Sequence, residues 1–165
     1  MFSNIKFKKR IIIHIPLIRR DTGISMLMKA VFERSNNYKV ILCSASTLKR
    51  SIKLWRPHLV IVGSLGVAKS IREDSYGAKI FFYESEGFHI NKNKEIKDGG
   101  YTHLFENDPD MINNIDLFLV WGKGLKKELE KVLKKKYHNL IKTIGCPKLD
   151  IVNYLKNKHK KENSV

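Results

Sequence analysis

The sequence predicts an α/β domain with a doubly wound, mostly parallel, six-stranded Rossmann-like sheet. Short runs of β-branched and other apolar residues recur along the chain. Stretches with helical spacing of apolar residues separate them, as in a parallel sheet covered by helices on both faces. The length of 165 residues suffices for one well-buried core and is too short for two ordinary domains. We therefore expect a single domain over residues 1–156 and a polar, frayed tail over residues 157–165.

Six apolar runs predict the strands, and the third is the most continuously apolar. The predicted strands are Ile11–Ile15, Lys39–Leu42, His58–Val62, Lys79–Tyr83, Ile115–Val120 and Ile141–Ile144. Helical spacing or helix-start signals between and after them predict helices with bounds near Ile24–Phe32, Ser46–Trp55, Gly66–Gly77, Leu125–Tyr137 and Leu149–Leu155. Two βαβαβ halves of this kind have the default strand order 3-2-1-4-5-6, with right-handed crossovers.

Residues 84–107 show no convincing periodicity. Such a long stretch is unusual inside a compact domain, and we interpret it as a functional loop. A short helix is predicted after it, around Asp108–Asn113. Asp108 would cap this helix and Pro109 would take its first position.

The chain is strongly basic, with 32 Lys and Arg residues against 16 Asp and Glu residues and a formal net charge of +16. An excess of this size fits an anionic partner: nucleic acid, an anionic membrane surface, or an acidic small molecule. It fits equally a compositional bias that decorates an ordinary fold with solvated lysines. Charge alone leaves both interpretations open.

The cysteines and the N-terminal residues indicate a cytoplasmic protein. Cys43 and Cys146 cannot build a disulfide framework, and their spacing suggests neither zinc nor a redox pair. The apolar run Ile11–Ile13 is soon interrupted by His14 and Pro16, so a signal peptide is not expected. Apolar runs are also too short to cross a bilayer. We expect a cytoplasmic location, with peripheral contact at the inner membrane face as an option.

Ligands of doubly wound sheets bind beyond the carboxyl ends of the strands, here near the predicted switch between the first and fourth strands. The residues at these ends supply the candidate ligand-binding and catalytic side chains. They are His14, Arg19, Arg20 and Thr22 after the first strand, Glu84, Glu86, Gly87 and His89 after the fourth, and Trp121 and Gly122 after the fifth.

Glu84 and Glu86 are the most informative of these candidates. Two carboxylates this close repel each other, so one can keep a raised pKa and act as a general base toward a hydroxyl. The alternative is that both are solvated or paired with basic residues. Arg19 and Arg20 precede the first helix, whose amide groups favour an anion, but two ordinary surface arginines explain them equally well. An isolated histidine such as His14 is more often a packed residue than a catalytic one.

Several cofactor signatures are missing. The loop after the first strand lacks G-x-G-x-x-G, and the chain lacks G-x-x-x-x-G-K-[ST], which argues against a nicotinamide enzyme and an NTPase. His89 and His103 lie in the unpatterned loop, with no spacing that defines a metal site. We expect no metal and no cofactor in this chain.

Three segments occur in an order typical of one known family. HIP ends the first strand, ESEG follows the fourth, and DLFLVWG is followed by IGCPKLD. Together they resemble the bacterial surface-carbohydrate biosynthesis proteins, glycosyltransferases of the GT-B fold that are related in layout to the CDP-glycerol glycerophosphotransferases. The matches cover nearly the whole chain. The family's motifs are closer to DEEG and GNPRxD, so Ser85, Cys146 and Lys148 depart from them.

The resemblance implies a two-domain enzyme in which the N-terminal domain holds the acceptor and the C-terminal domain holds a nucleotide-sugar. Gly145, Pro147 and Asp150 match the segment that leads from one domain to the other, as an interdomain hinge. The sequence ends about fifteen residues beyond it. On this basis the donor site lies outside the chain, and a nucleotide-sugar is expected only with a donor domain.

The leading hypothesis is therefore the acceptor-binding N-terminal half of a glycosyltransferase-like protein for surface polysaccharide, inactive alone. Its partners would be a donor-domain chain or a missing C-terminal domain, and a sugar or lipid-linked sugar acceptor. The alternative is a non-catalytic basic scaffold held at an anionic membrane or partner protein by the lysines of the helix around residues 125–137. A nucleic-acid role is disfavoured, because the lysines are dispersed and no recognition motif accompanies them.

Overall fold

The computed structural model describes residues 8–84, 104–105, 107–146 and 149. These residues form an α/β fold with a six-stranded, all-parallel sheet and helices on both faces, which is a Rossmann-like doubly wound fold as predicted. The strands are β1 (Lys9–His14), β2 (Tyr38–Cys43), β3 (Leu59–Val62), β4 (Lys79–Tyr83), β5 (Leu117–Val120) and β6 (Ile141–Thr143). The α-helices are α1 (Ile18–Arg34), α2 (Ala45–Trp55), α3 (Leu65–Ile71) and α4 (Lys123–Val132). Short 3-10 helices cover Glu73–Ser75, Pro109–Asn114 and Lys135–Leu140.

Two helices end earlier than the periodicity predicts. The helix predicted to reach Gly77 ends at Ile71, where the chain continues into the 3-10 helix Glu73–Ser75 before Tyr76 and Gly77 take positive φ angles. The helix predicted to reach Tyr137 ends at Val132, because Leu133 turns extended and is buried in the core. The short helix predicted after Asp108 is confirmed as a 3-10 helix, but the Asp108 side chain makes no capping hydrogen bond. The helix predicted near Leu149–Leu155 lies outside the described residues apart from Leu149.

The strand order is β2-β1-β3-β4-β5-β6, so the predicted default order 3-2-1-4-5-6 is wrong. Burial explains the difference. Val60, Ile61 and Val62 of β3 are all buried, and the default order would place this strand at an edge. β2 begins with a half-buried Tyr38 and an exposed Lys39, which suits an edge strand. The apolar strand takes the inner position and the more polar one the edge.

The two faces of the sheet have separate apolar clusters. On one face, Ile11 and Ile13 of β1 pack with Ile24 of α1 and with Tyr83 of β4. On the other face, the larger cluster joins the sheet to α2, α3, α4 and the 3-10 helix Pro109–Asn114. Side chains alternate between the faces along each strand, so Ile12 belongs to the second cluster. Because each strand is packed on both faces, its carboxyl end has a fixed position, and these ends carry the polar residues described below.

Pro16 and Gly63 make a close contact between the loops that follow β1 and β3. A Cβ atom at Gly63 would lie 2.5 Å from Pro16 Cγ, a distance that no real packing allows. Only glycine therefore permits this approach of the two loops. Gly66, three residues later in α3, has ordinary space, since its Cβ would meet only Ser64 Oγ at 3.7 Å.

We expect Gly63→Ala to destabilise the fold by about 1–3 kcal/mol, the usual cost of forcing extra atoms into a well-packed site. Gly66→Ala is the matched control, and it should be neutral or stabilise by about 0.4–1 kcal/mol through the unfolded chain. Urea denaturation of both variants measures this difference. Equal stability of the two variants would contradict the close contact at Gly63.

Candidate functional site

The chain changes direction along the sheet between β1 and β3, so the switch point lies between these strands and not between the first and fourth as predicted. Ligands of doubly wound folds bind at this crevice. In this protein the contact of Pro16 with Gly63 narrows the crevice between the ends of β1 and β3. The buried polar side chains lie beside that contact, beneath the N-terminal half of α1.

A small cavity of about 10 Å³ occupies this position. That volume is close to the lower limit for one water-sized group. Four elements contribute to its wall: the ends of β1, β3 and β4, and the first turns of α1. Its lining residues include His14, Pro16, Asp21, Ser25, Gly63 and Tyr83. It thus brings together strand ends that the sequence places far apart.

His14 and Tyr83 are the two polar side chains that stand out in this wall. Their exposed fractions are only 4% and 3%. Among the described residues, neither ring nitrogen of His14 nor the Tyr83 hydroxyl has a hydrogen-bond partner. Leaving a buried polar group unsatisfied costs about 1–3 kcal/mol. The two side chains therefore provide hydrogen-bonding capacity that the described part of the fold does not use.

Burial keeps both groups uncharged at neutral pH. Burial lowers the pKa of His14, and the nearby carboxylate of Asp21 opposes this shift. Burial also raises the pKa of Tyr83 to about 12, with Cys146 and Glu84 adding to the increase and the nearby side chain of Trp121 opposing it. A neutral imidazole offers one donor and one acceptor, and a phenol offers both in one atom. The pair is suited to a neutral hydroxyl.

The carboxylate of Asp21, near the start of α1, is neutralised by the side chain of Arg20. Its carboxylate accepts hydrogen bonds from Arg20 Nε at 2.9 Å and Arg20 Nη2 at 3.0 Å, and from the Leu17 amide at 3.2 Å. The side chain of Asp21 is 1% exposed, so this bidentate pair compensates a buried charge. An acceptor anion at Arg20 would have to compete with this internal carboxylate.

Glu84 lies directly after β4 and is completely buried. Its amide donates to Leu119 O at 3.1 Å, and its carbonyl accepts the indole N–H of Trp121 at 2.6 Å. Both contacts join the end of β4 to the end of β5. They hold the main chain of Glu84 at the carboxyl edge, next to the hydroxyl-bearing Tyr83.

The remaining predicted site residues have varied positions. The prediction that Arg19 and Arg20 precede the first helix is wrong, because α1 begins at Ile18 and contains both. Arg19 is exposed, and Thr22 Oγ1 donates to Ile18 O within the same helix. Gly122 is the N-cap of α4, and Gly145 follows β6 with a φ of 84°. Glu86, Gly87, His89, Pro147 and Asp150 lie outside the described residues. Of the predicted set, the described structure brings His14 into the cavity wall and Trp121 into contact with Glu84.

Sequence reasoning missed three of the cavity residues: Asp21, Ser25 and Tyr83. The signal for Tyr83 was present, because it is the only hydroxyl-bearing residue of the apolar strand β4 and stands at its carboxyl end. Asp21 and Ser25 are four residues apart, which places both on one face of α1. They could have been selected as polar residues on the face that also carries Ile24.

Across the residues that the structure describes, no group of three or more His, Cys, Asp or Glu side chains could hold a metal ion. No helix in the described part of the chain is long and apolar enough to cross a membrane.

Comparison with known proteins finds no match: no protein-family model, no curated protein and no solved structure is similar to this chain.

The stability of the protein should depend on the charge state of His14. Because burial lowers the folded pKa below the ordinary value of 6.5, neutral His14 stabilises the fold fully above pH 6.5. That contribution is lost as the pH falls from 6.5 through the lower folded pKa. We expect His14→Gln to flatten the decline in the free energy of unfolding below pH 6.5, measured by urea denaturation. Met28→Leu alters another wall residue without removing a titrating group, and it should keep the wild-type decline. If His14→Gln also kept it, the burial argument would fail.

Proposed function

We propose that this chain is the acceptor-binding half of a glycosyltransferase-like protein for surface polysaccharide. In this proposal an acceptor hydroxyl lies between His14 and Tyr83. The observation that supports it is the pair of buried, uncharged side chains that line one cavity at the ligand-binding edge with their hydrogen-bonding capacity unused by the described residues. A sugar hydroxyl both donates and accepts, so it matches the pair in charge and in hydrogen-bonding type.

The size of the cavity supports the same class of ligand group. About 10 Å³ is room for one water-sized or hydroxyl-sized group. The flexible side chain of Met28 lies in the wall and can adapt to the carbon skeleton that carries the hydroxyl. The rest of the acceptor would lie outside the cavity, along the carboxyl edge.

Glu84 is the candidate base of the transfer step. In that step the acceptor oxygen attacks the anomeric carbon of the nucleotide-sugar, its proton passes to the carboxylate, and the nucleotide leaves with the electron pair of the broken bond. Hydrogen bonds to Leu119 and Trp121 fix the buried main chain of Glu84. The carboxylate therefore extends from a fixed backbone position next to Tyr83 in the chain. Glu86 shares this candidacy from the sequence. The donor would be bound by a separate domain.

Arg19 and Arg20 have a smaller part in this proposal than in the sequence-based hypothesis. Arg20 is paired with Asp21, and the acceptor group at the cavity is uncharged. Asp21 would instead act on His14, since its carboxylate raises the pKa that burial lowers. Arg20 then limits this effect by neutralising the carboxylate.

The proposal is tested by acceptor binding to the purified chain. Uncharged methyl glycosides of hexoses and N-acetylhexosamines are the probes, with dissociation constants measured by saturation-transfer NMR titration. Tyr83→Phe should weaken binding roughly five- to tenfold, the value of one hydrogen bond, and should keep or raise the stability of the free chain, because it removes a buried hydroxyl that has no hydrogen-bond partner among the described residues. Tyr76→Phe removes a hydroxyl at the opposite edge and should bind as the wild type does. Absence of binding by every glycoside, or equal binding by Tyr83→Phe, would refute the proposal.

The proposed acceptor-only role makes a second prediction. The purified chain, incubated with nucleotide-sugars and a glycoside that it binds, should neither transfer nor hydrolyse the sugar, as followed by release of the nucleotide. Turnover by the chain alone would contradict its assignment as a half enzyme. In an assembly with a donor domain, Glu84→Gln should keep glycoside binding and lose transfer.

A further inference from the structure

The amino edge of the sheet, opposite to the candidate site, has a basic surface. The strands are parallel, so their first residues lie side by side. Lys9 is paired with Tyr38, Arg10 with Lys39, and Leu59 with Lys79. We call this the amino-edge surface and define it by seven residues: Lys8, Lys9, Lys39, Leu54, Arg56, Tyr76 and Lys79. All seven are exposed.

Main-chain hydrogen bonds confirm that these segments are neighbours. The His58 amide donates to Arg10 O at 2.8 Å, and the Lys79 amide donates to His58 O at 3.0 Å. The Lys9 amide donates to Asn37 O at 2.8 Å, just before the edge strand begins. Arg56 is the C-cap of α2, two residues before His58. The cationic residues therefore lie along one continuous edge.

The acidic residues near this edge are mostly compensated by internal partners. Asp116 accepts from Arg72 at 2.7 Å, Lys79 at 3.1 Å and the Ile80 amide at 2.8 Å. Burial opposes ionisation of Asp116, but these partners hold its pKa below the ordinary value. Asp74 pairs with Lys49 at 3.2 Å, and Glu73 beside it is exposed. Because Lys79 is itself one of the partners of Asp116, the net positive charge of the amino-edge surface comes from the other cations, Lys8, Lys9, Lys39 and Arg56.

Two large apolar side chains accompany these cations. Leu54, in the last turn of α2, is 72% exposed, more than any other large apolar residue in the described part of the chain. Tyr76 is 47% exposed, and the guanidinium carbon of Arg56 lies 3.4 Å from the centroid of its ring. Arg56 and Tyr76 both have left-handed backbone conformations, with φ of 46° and 53°. The last turn of α2 thus exposes Leu54, and the turn before β4 exposes Tyr76, next to the basic residues.

We propose that the amino-edge surface docks on an anionic lipid bilayer. Each Lys or Arg near an anionic membrane surface contributes about 1 kcal/mol, and an exposed leucine and tyrosine add shallow burial at the interface. Two observations favour lipid over nucleic acid. Leu54 has no polar group to place against a phosphate backbone, and one face of the Tyr76 ring is already covered by Arg56, which limits stacking with a base.

The lysine-rich helix α4, to which the sequence-based alternative assigned membrane contact, fits this role less well. Lys126 is paired with Glu130 at 3.6 Å, and Lys131 with Glu128 at 2.7 Å. These pairs cancel only part of the helix charge, but none of the exposed large apolar side chains among the described residues lies on α4, so the helix lacks the apolar contact that Leu54 and Tyr76 offer at the amino edge. The docking proposal does not depend on the proposed function. Docked in this way, the carboxyl edge with its cavity would face the aqueous phase.

The test is co-sedimentation of the purified chain with vesicles, with circular dichroism and thermal melting to verify folding. One set of vesicles contains phosphatidylglycerol and phosphatidylcholine, and the other contains phosphatidylcholine only. The double variant Lys9→Glu/Lys39→Glu removes two amino-edge cations. Lys127→Glu/Lys135→Glu makes the same change in net charge on α4 and on the 3-10 helix Lys135–Leu140 that follows it, and is the matched control. Leu54→Ser tests the apolar contribution without altering the charge.

We expect wild-type binding to the anionic vesicles only. The partition coefficient should fall roughly 30-fold or more in Lys9→Glu/Lys39→Glu, given about 1 kcal/mol for each cation lost, and should change little in the control. Leu54→Ser should lower it several-fold at unchanged salt dependence. Equal losses in both double variants would show diffuse attraction and overturn the proposal. It would also be overturned by unchanged binding in the amino-edge variant, or by tighter wild-type binding to a duplex or single-stranded oligonucleotide than to the vesicles at the same salt.

Discussion

The central constraint in this fold is the burial of β3 on both faces. Val60, Ile61 and Val62 are 0%, 3% and 0% exposed, and such a strand is stable only with a strand on each side and helices above and below. The position of β3 between β1 and β4 satisfies this requirement. It also sets the switch point next to β1 and brings the ends of β1 and β4 within reach of one cavity. The candidate site is a consequence of where this strand packs.

Buried polar side chains differ between the two edges of the sheet in whether they have hydrogen-bond partners. At the amino edge, the carboxylate of Asp116 has three partners, two of them cations, and its role is structural. At the carboxyl edge, His14 and Tyr83 are nearly as buried as core residues and use none of their hydrogen-bonding capacity among the described residues. Buried polar groups without partners are costly, and each one in a native protein calls for an explanation such as a catalytic role or a bound water or ion. This asymmetry is why the functional proposal rests on the carboxyl edge.

The positions of single residues were predictable to different degrees. Strand β4 was predicted to the residue, because an apolar run between polar neighbours has clear ends. The end of α4 was not, because Leu133 continues the helical apolar stripe while its backbone leaves the helix to enter the core. His14 was among the predicted site residues, yet its partner in the cavity wall was not. Tyr83 had been counted only as part of an apolar strand.

Local patterning was therefore sufficient for the class of fold and for nearly every strand, since both follow from the spacing of apolar residues over a few positions. The neighbours of each strand depended on three-dimensional packing: the order β2-β1-β3-β4-β5-β6 follows from which strands must be covered on both faces. The cavity depended on it too, since Pro16 and Gly63 are far apart in sequence and meet only in the assembled sheet. Contacts between distant segments leave no periodic trace in a single sequence, and the site of this protein is made of such contacts.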